Sequence, residues 1–212
     1  MIIAIDGPAA SGKGTISKKL AQHFDLPHMD TGLLYRAVGY AMRDDLDQPN
    51  WEQLAIDKAQ SLDLSHFHEH DLTTAEAGVA ASKVARVPEV RAALREVQLN
   101  FASQAGGAIL DGRDIGTRIC PEADVKLYVT ADAFTRAQRR TKQLNARGVD
   151  VTIDEILAQI EKRDADDKNN PAGAFFIAED AHLLDTTKLS IETAFQAALE
   201  LVNDVLAQKK SS

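Results

Sequence analysis

Residues Gly7-Pro-Ala-Ala-Ser-Gly-Lys-Gly-Thr15 follow directly on the apolar opening Met1-Ile-Ile-Ala-Ile-Asp6. A short apolar run thus leads into two glycines, Gly7 and Gly12, with Lys13 right behind the second. Beyond them Ile16, Leu20 and Phe24 recur every four residues, the spacing of one helix face. A strand, a glycine-bearing turn and a helix start bring successive backbone N–H groups and a helix N-terminus onto one point, where they suit an anion. Gly7 and Gly12 allow backbone angles and a close approach that a side chain would block. Lys13 adds one positive charge at the outer phosphates of a nucleotide. The pattern predicts a loop for a nucleoside triphosphate. It departs from the common form at one place: Gly14 stands where a hydroxyl usually follows the lysine, and the hydroxyl comes at Thr15.

Working outward, strand-like and helix-like segments alternate, which predicts a parallel sheet covered by helices on both faces. The expected strands are Ile2–Ile5, a short one within Leu26–Asp30, Ala108–Asp111, Val125–Val129 and Leu183–Asp185. Ser190 caps an expected C-terminal helix with Ile191, Phe195, Leu199, Val202 and Leu206 on one face and Lys209-Lys210 at its end. Two helical stretches interrupt the alternation. The first, about 31–106, carries Asn50 as an expected cap and the stripe Val90, Leu94, Val97 and Phe101; the second, about 138–173, is highly charged and holds the capping box Thr152-x-x-Glu155. Both read as insertions beyond the C-terminal ends of the strands, where such sheets bind ligands. The core is then about 1–30, 107–137 and 174–212, in a single domain.

The 212 residues carry 24 Lys and Arg against 32 Asp and Glu, a net charge of −8. That balance argues against a binder of nucleic-acid polymers. Most arginines fall between Arg86 and Arg163, so a locally basic cleft in an acidic chain fits a small polyanion. No apolar run approaches the ~20 residues of a membrane helix, and the opening strand lacks the features of a signal peptide. The single cysteine, Cys120, excludes an internal disulfide and reads as a small core hydrophobe. A cytoplasmic monomer is expected. His66, His68 and His70 alternate but sit in a polar stretch, which reads as a solvated loop rather than a metal site.

Three further clusters carry chemistry. Asp30-Thr31-Gly32 with Tyr35-Arg36 opens a helix, with Thr31 and Arg36 about one turn apart and able to reach one phosphate. Ala108-Ile-Leu-Asp111-Gly-Arg113-Asp114 is an apolar strand ending in the carboxylate that could order a magnesium shell. Arg163 and Asp167, four apart, share a helix face. Arg136, Arg139 and Arg140 form a further basic face, which reads equally as solvated surface.

Together these motifs resemble the cytidylate kinases of bacteria, with the P-loop NTPase-type fold. The likeness spans nearly the whole chain through Gly-Lys-Gly-Thr15, Asp30-Thr-Gly-x-x-Tyr-Arg36, Ala81-Ser82, Pro88-x-Val-Arg91, Asp111-Gly-Arg-Asp114 and Arg163-Asp-x-x-Asp167. The resemblance implies a nucleoside monophosphate kinase that passes the γ-phosphate of ATP to CMP and dCMP, with Mg2+. It makes the first insertion the monophosphate-binding lobe and the second a lid. Gly7, Pro8, Ala9, Ala10, Ser11, Gly12, Lys13, Gly14 and Thr15 would bind ATP. Lys13, Arg113, Arg139 and Arg163 would be catalytic. Thr31, Arg36 and Arg113 would hold the acceptor phosphate, Ser82, Arg91 and Asp114 would face cytosine, and Arg163, Asp167 and Tyr35 would lie at the sugar. Magnesium would ride on the nucleotide phosphates, with Thr15 and Asp111 reaching it through water. The chain departs from the family at Thr73, where an arginine is common, and at Lys168-Asn169-Asn170, where further arginines are frequent. Two rivals stay open: a kinase for another small acceptor such as a different nucleotide or shikimate, and a nucleotide-dependent switch. The Asn-Lys-x-Asp guanine motif that such a GTPase switch would need is missing.

Overall fold

The computed structural model describes residues 1–170, 172 and 175–211. The expected boundary between lid and core at Gly173 and Ala174 lies outside the described residues. Five parallel strands form one sheet in the order β2-β3-β1-β4-β5, with β1 (Ile2–Asp6), β2 (His28–Asp30), β3 (Ala108–Gly112), β4 (Val125–Thr130) and β5 (His182–Asp185). All five expected strands are present, with ends shifted by one or two residues. β2 starts later than its apolar run because Pro27 has no N–H to give; its carbonyl still accepts from Ile109 N–H at 2.9 Å.

β1 lies in the centre, and the pleat divides its side chains between two cores. Ile3 and Ile5 join Ile109, Leu127 and Val129 under α1 (Lys13–Phe24) and the C-terminal helix Ile191–Ser211. Ala4 faces the other way, onto Ala102, Ala108, Leu110 and Cys120. Ser190 caps the C-terminal helix as expected, its Oγ accepting from Thr193 N–H at 3.1 Å.

Between β2 and β3 come α2 (Thr31–Ala41), α3 (Trp51–Gln60), the four-residue α4 (Glu69–Leu72), α5 (Ala75–Val84) and α6 (Pro88–Ala102). Leu34, Val38, Met42, Val84, Val90 and Leu94 give them an apolar cluster of their own. Asn50 stands at the head of α3, but its side chain makes no capping bond. His66 ends a single 3-10 turn, His68 precedes α4 and His70 lies on it; all three are exposed, and none is on a strand. Between β4 and β5, α7 (Ala133–Asn145) packs on α8 (Ile153–Lys168) through Ala137, Leu144, Ile156 and Ile160. The expected Thr152–Glu155 capping box opens α8. These two helices complete the numbering to α9 (Ile191–Ser211). Among the described residues no helix is long and apolar enough to cross a membrane.

The contact between α2 and α5 is unusually close. A Cβ on Gly39 would stand 2.7 Å from Ala81 N and 2.8 Å from Ala80 C, both backbone atoms that cannot yield by rotation. Because α2 carries Thr31 and Tyr35, forcing these helices apart moves the site as well. Gly39→Val is expected to cost about 1–3 kcal/mol through overpacking, read as a lowered denaturant midpoint in equilibrium unfolding. An unchanged midpoint would contradict the packing described.

Candidate active site

The carboxyl ends of β1 and β3 lie side by side, with Asp6 paired in register to Gly112. Beyond Asp6 the chain turns through Gly7, where a Cβ would stand 1.9 Å from Val129 O, so only glycine fits. Gly12 is the N-cap of α1, and Lys13 is its first residue. Asp6 itself is buried, and its two oxygens accept from Ile115 N–H and Gly116 N–H at 2.8 Å each. Burial pushes its carboxyl up to about 6, against the lowering effect of those bonds. Through them β1 anchors the π-turn Ile115–Ile119 that follows Arg113 and Asp114. This fixes where those two side chains leave the sheet.

A cleft of about 700 Å3, counted to its open mouth, collects most of the expected residues. Lys13, Thr31, Tyr35, Ser82, Arg91, Arg113, Asp114, Arg163 and Asp167 all line it. They come from α1, α2, α5, α6, the end of β3 and α8. Cations and carboxylates share its lining. Burial and the neighbouring Arg113 bring the Lys13 ammonium down to about 8. Arg163 is pushed down to about 10, by burial and then by Arg113. Its Nε is buried with no hydrogen-bond partner among the described residues. Burial also works against the charge on Arg113, but Asp167 outweighs it with a 2.8 Å bond to Nε. The same arginine donates to Gly7 O at 2.7 Å, which ties it to the loop. Lys13 and Arg163 hold their charges against burial and against a neighbouring cation, a setting that favours an anion beside them.

Carboxylates meet on the β2–β3 side. Asp30 caps α2 through Gly32 N–H at 2.9 Å and is pushed up by burial and by Asp111. Asp111 is 1% exposed and binds His28 Nε2 at 2.6 Å. A Cβ on Gly14 would lie 3.9 Å from Asp111 Oδ2, so this carboxylate borders the head of α1. Thr15 is exposed one residue further on. On the opposite wall Arg91 Nη2 bonds Asp114 Oδ2 directly. Ser82 bonds back to Gly78 O at 3.1 Å.

Two of the expected residues point elsewhere. Arg36 spends Nη1 on Leu72 O at 2.9 Å and Thr74 O at 3.2 Å, so it braces the α4–α5 turn instead of lining the cleft with Thr31. Thr31 Oγ1 donates to Asp111 O at 2.9 Å. Arg139 donates to Ser11 O at 3.3 Å and to Thr186 Oγ1 and O at 2.9 and 2.6 Å, bracing the loop against the β5–α9 connection. Asp167 pairs with Arg113 and not with Arg163, its neighbour on the helix face. Arg136, on a face that reads equally as solvated surface, is 4% exposed and binds Asp164 through two bonds of 3.1 and 2.5 Å.

Sequence reasoning passes over several residues here. Asp6, His28, Arg86, Asp166 and Phe175 act through partners distant in the chain, and only Asp6 had a local signal, as the polar end of an apolar strand. Contacts also cross between α7–α8 and the α2–α6 group. Arg147 Nη1 binds Thr73 Oγ1 at 2.8 Å, Arg140 Nη2 binds Thr73 O at 3.4 Å, and Arg86 meets Asp166 at 3.4 Å. Thr73 thus receives two arginines from the α7–α8 side.

Comparison with known proteins agrees with this geometry. The model of the family described as cytidylate kinase matches residues 3–204. The chain is 53% identical to a cytidylate kinase of Methylocella silvestris over 95% of its own length and 94% of that protein's. It is 50% identical to one of Rhodopseudomonas palustris over 99% of both. A crystal structure of an uncharacterized protein from Eubacterium ventriosum shares the fold, with a TM-score of 0.55 and 14% identity over 96% of this chain and 98% of that one. The chain belongs to the cytidylate kinase family.

Proposed function

We propose that this chain transfers the γ-phosphate of ATP to CMP and dCMP, giving ADP and CDP or dCDP. ATP lies with its phosphates on the Gly7–Thr15 loop and the monophosphate in the cleft beside it. The observation that carries this reading is the convergence of Lys13, Arg113 and Arg163 on that cleft, opposite the paired Arg91 and Asp114. One end suits phosphates and the other a base.

Phosphoryl transfer asks mainly for alignment and for neutralisation of charge on the moving group. Lys13, Arg113 and Arg163 supply that charge from three separate segments, in a site whose burial strengthens it. The acceptor is a phosphate oxygen, already ionised, so no catalytic base is needed. Arg139 contributes from outside the cleft, by holding the Ser11 carbonyl and with it the loop. Arg36 likewise contributes through the turn it braces.

Magnesium fits the residues present. Thr15 is exposed two residues after Lys13, and Asp111 borders the head of α1, close enough to Asp30 to raise the titration of the Asp30 carboxyl. These carboxylate oxygens are of the kind this ion takes through water. When bound it neutralises phosphate charge that the protein cations leave over. Thr15 and Asp111 are the residues that would hold its water shell.

Residues about 31–106 serve as the monophosphate-binding lobe and about 138–173 as the lid. Each has an apolar cluster of its own that lets its helices move together, while Leu99, Phe101 and Ala102 at the end of α6 stay packed on the sheet. The contacts between them are polar and easily remade in water, as closure over two substrates requires. Every residue used here lies in one chain, so a monomer suffices.

Two outcomes test the reading. The first follows from Lys13. Its ammonium titrates near 8 in the fold and near 10.5 when the chain is unfolded. Between those values the unfolded state holds more protons, so the contribution of Lys13 to stability rises with pH there, and at pH 7 the buried charge is a net cost. Lys13→Met should therefore stabilise the substrate-free protein at pH 7 by roughly 1–2 kcal/mol, less than the full shift because part of Lys13 faces the cleft. The advantage should shrink by pH 10. Turnover should fall by about two to three decades. Urea unfolding at both pH values and kcat measure this, and a variant both less stable and active would refute it.

The second concerns the base. Arg91 can donate to the ring acceptor of cytosine while Asp114 accepts from its exocyclic amine. Uracil reverses both groups, and each buried mismatch costs about 1–3 kcal/mol. CMP should be preferred over UMP by at least one to two decades in kcat/KM. Asp114→Asn should narrow that gap, because an amide can donate to the uracil carbonyl. A ratio unmoved by Asp114→Asn would remove Asp114 from base reading.

A further inference from the structure

Arg91 is held by more than its bond to Asp114. Its guanidinium lies over two aromatic rings, 5.9 Å from the centroid of Tyr35 and 5.3 Å from that of Phe175. Its side chain is 12% exposed, so these contacts lie largely out of water, where a cation over a ring face is worth most. One hydrogen bond to a carboxylate leaves a guanidinium free to swing about that bond. A ring face fixes the plane, and the plane decides which way its remaining N–H groups point.

The two rings differ in origin. Tyr35 is on α2, within the same helical group as Arg91. Phe175 comes from beyond α8, and its N–H donates to Asp167 O at 3.3 Å. The carboxylate of the same Asp167 holds Arg113 at 2.8 Å. One residue at the end of α8 therefore connects, through its backbone, to the ring over the base-reading arginine. Through its side chain it connects to a phosphate-facing arginine. Phe175 lines the cleft alongside both.

We propose that Phe175 is a positioning residue for base selection. With the ring of Tyr35 it sets the plane of Arg91, so that cytosine is read best while Phe175 is seated over that arginine. Selection of the base and assembly of the phosphate site then become one event. The inference rests on the reading of Arg91 and Asp114 as the contacts to cytosine.

The test measures kcat/KM for CMP and for UMP, and KM for ATP, in the wild type, Phe175→Leu, Phe175→Tyr and Arg91→Met. Leucine fills similar space without a ring face, and tyrosine restores the face. Phe175→Leu should lower the CMP:UMP ratio by about three- to tenfold, chiefly through KM for CMP, with KM for ATP unchanged. Phe175→Tyr should keep the wild-type ratio. Overturning results are a Phe175→Leu ratio equal to wild type, a Tyr variant as impaired as the Leu variant, or an equal loss of affinity for ATP and CMP. If Arg91→Met collapses the ratio while Phe175→Leu does not, this inference alone fails. If Arg91→Met leaves the ratio unmoved, the reading of the base site fails with it.

Discussion

Positive charges crowded into one cleft are the constraint around which the rest of the molecule is arranged. Lys13, Arg113 and Arg163 repel one another and lose hydration, as their lowered or contested titration shows. A free fold would separate them. This one holds them by fixing each on a different rigid element and placing carboxylates a step behind. Asp167 binds Arg113, while Asp30 and Asp111 lie near Lys13. Arg163 receives no such relief at Nε. Stability is thus given up locally so that a polyanion gains on arrival what the protein lacks without it.

The apolar residues make that arrangement affordable by grouping into several clusters instead of one. Two cores cover the faces of the sheet, a third holds α2, α3, α5 and α6 together, and a fourth joins α7 to α8. The cleft lies where these units meet, so its walls are rigid one by one. Between them run Arg147–Thr73, Arg86–Asp166 and the bond from Asn170 to Ala85 O at 3.4 Å. Contacts of this kind exchange with water at little cost. An apolar seam in the same place would cost far more to open.

Much of this was legible in the chain, for local reasons. The loop announces itself because an apolar strand, two glycines and a lysine occur in one run. The strands were visible as short buried segments, and the Thr152–Glu155 box as a pattern of four residues. What escaped depends on partners far away in sequence. Nothing near Arg136 shows that Asp164 will bury it, and nothing near Phe175 shows that its ring will meet Arg91. Arg36 is expected at the acceptor phosphate and Arg139 among the catalytic residues. Their long side chains, however, have enough reach to choose backbone carbonyls instead, and spacing along a helix does not record that choice. Asn50 illustrates the same limit at short range: the right residue type stands at the head of α3, but its backbone turns so that the side chain makes no cap.

The central position of β1 has a consequence for how the chain is made. β1 needs β3, at Ala108–Gly112, and β4, at Val125–Thr130, as its two neighbours, and both follow it in the chain by more than 100 residues. Until β3 has been made, Ile3 and Ile5 have no sheet to join. The helices α2 to α6 meet mostly one another and can consolidate meanwhile, since contacts near in sequence close quickly. The nucleotide loop, by contrast, gets its shape only when strands over 100 residues apart come together, so the site is among the last parts to form. An interrupted chain ending before β4 would therefore carry a helical lobe and an apolar β1 lacking one of its two neighbours, a species prone to aggregate and unable to bind nucleotide.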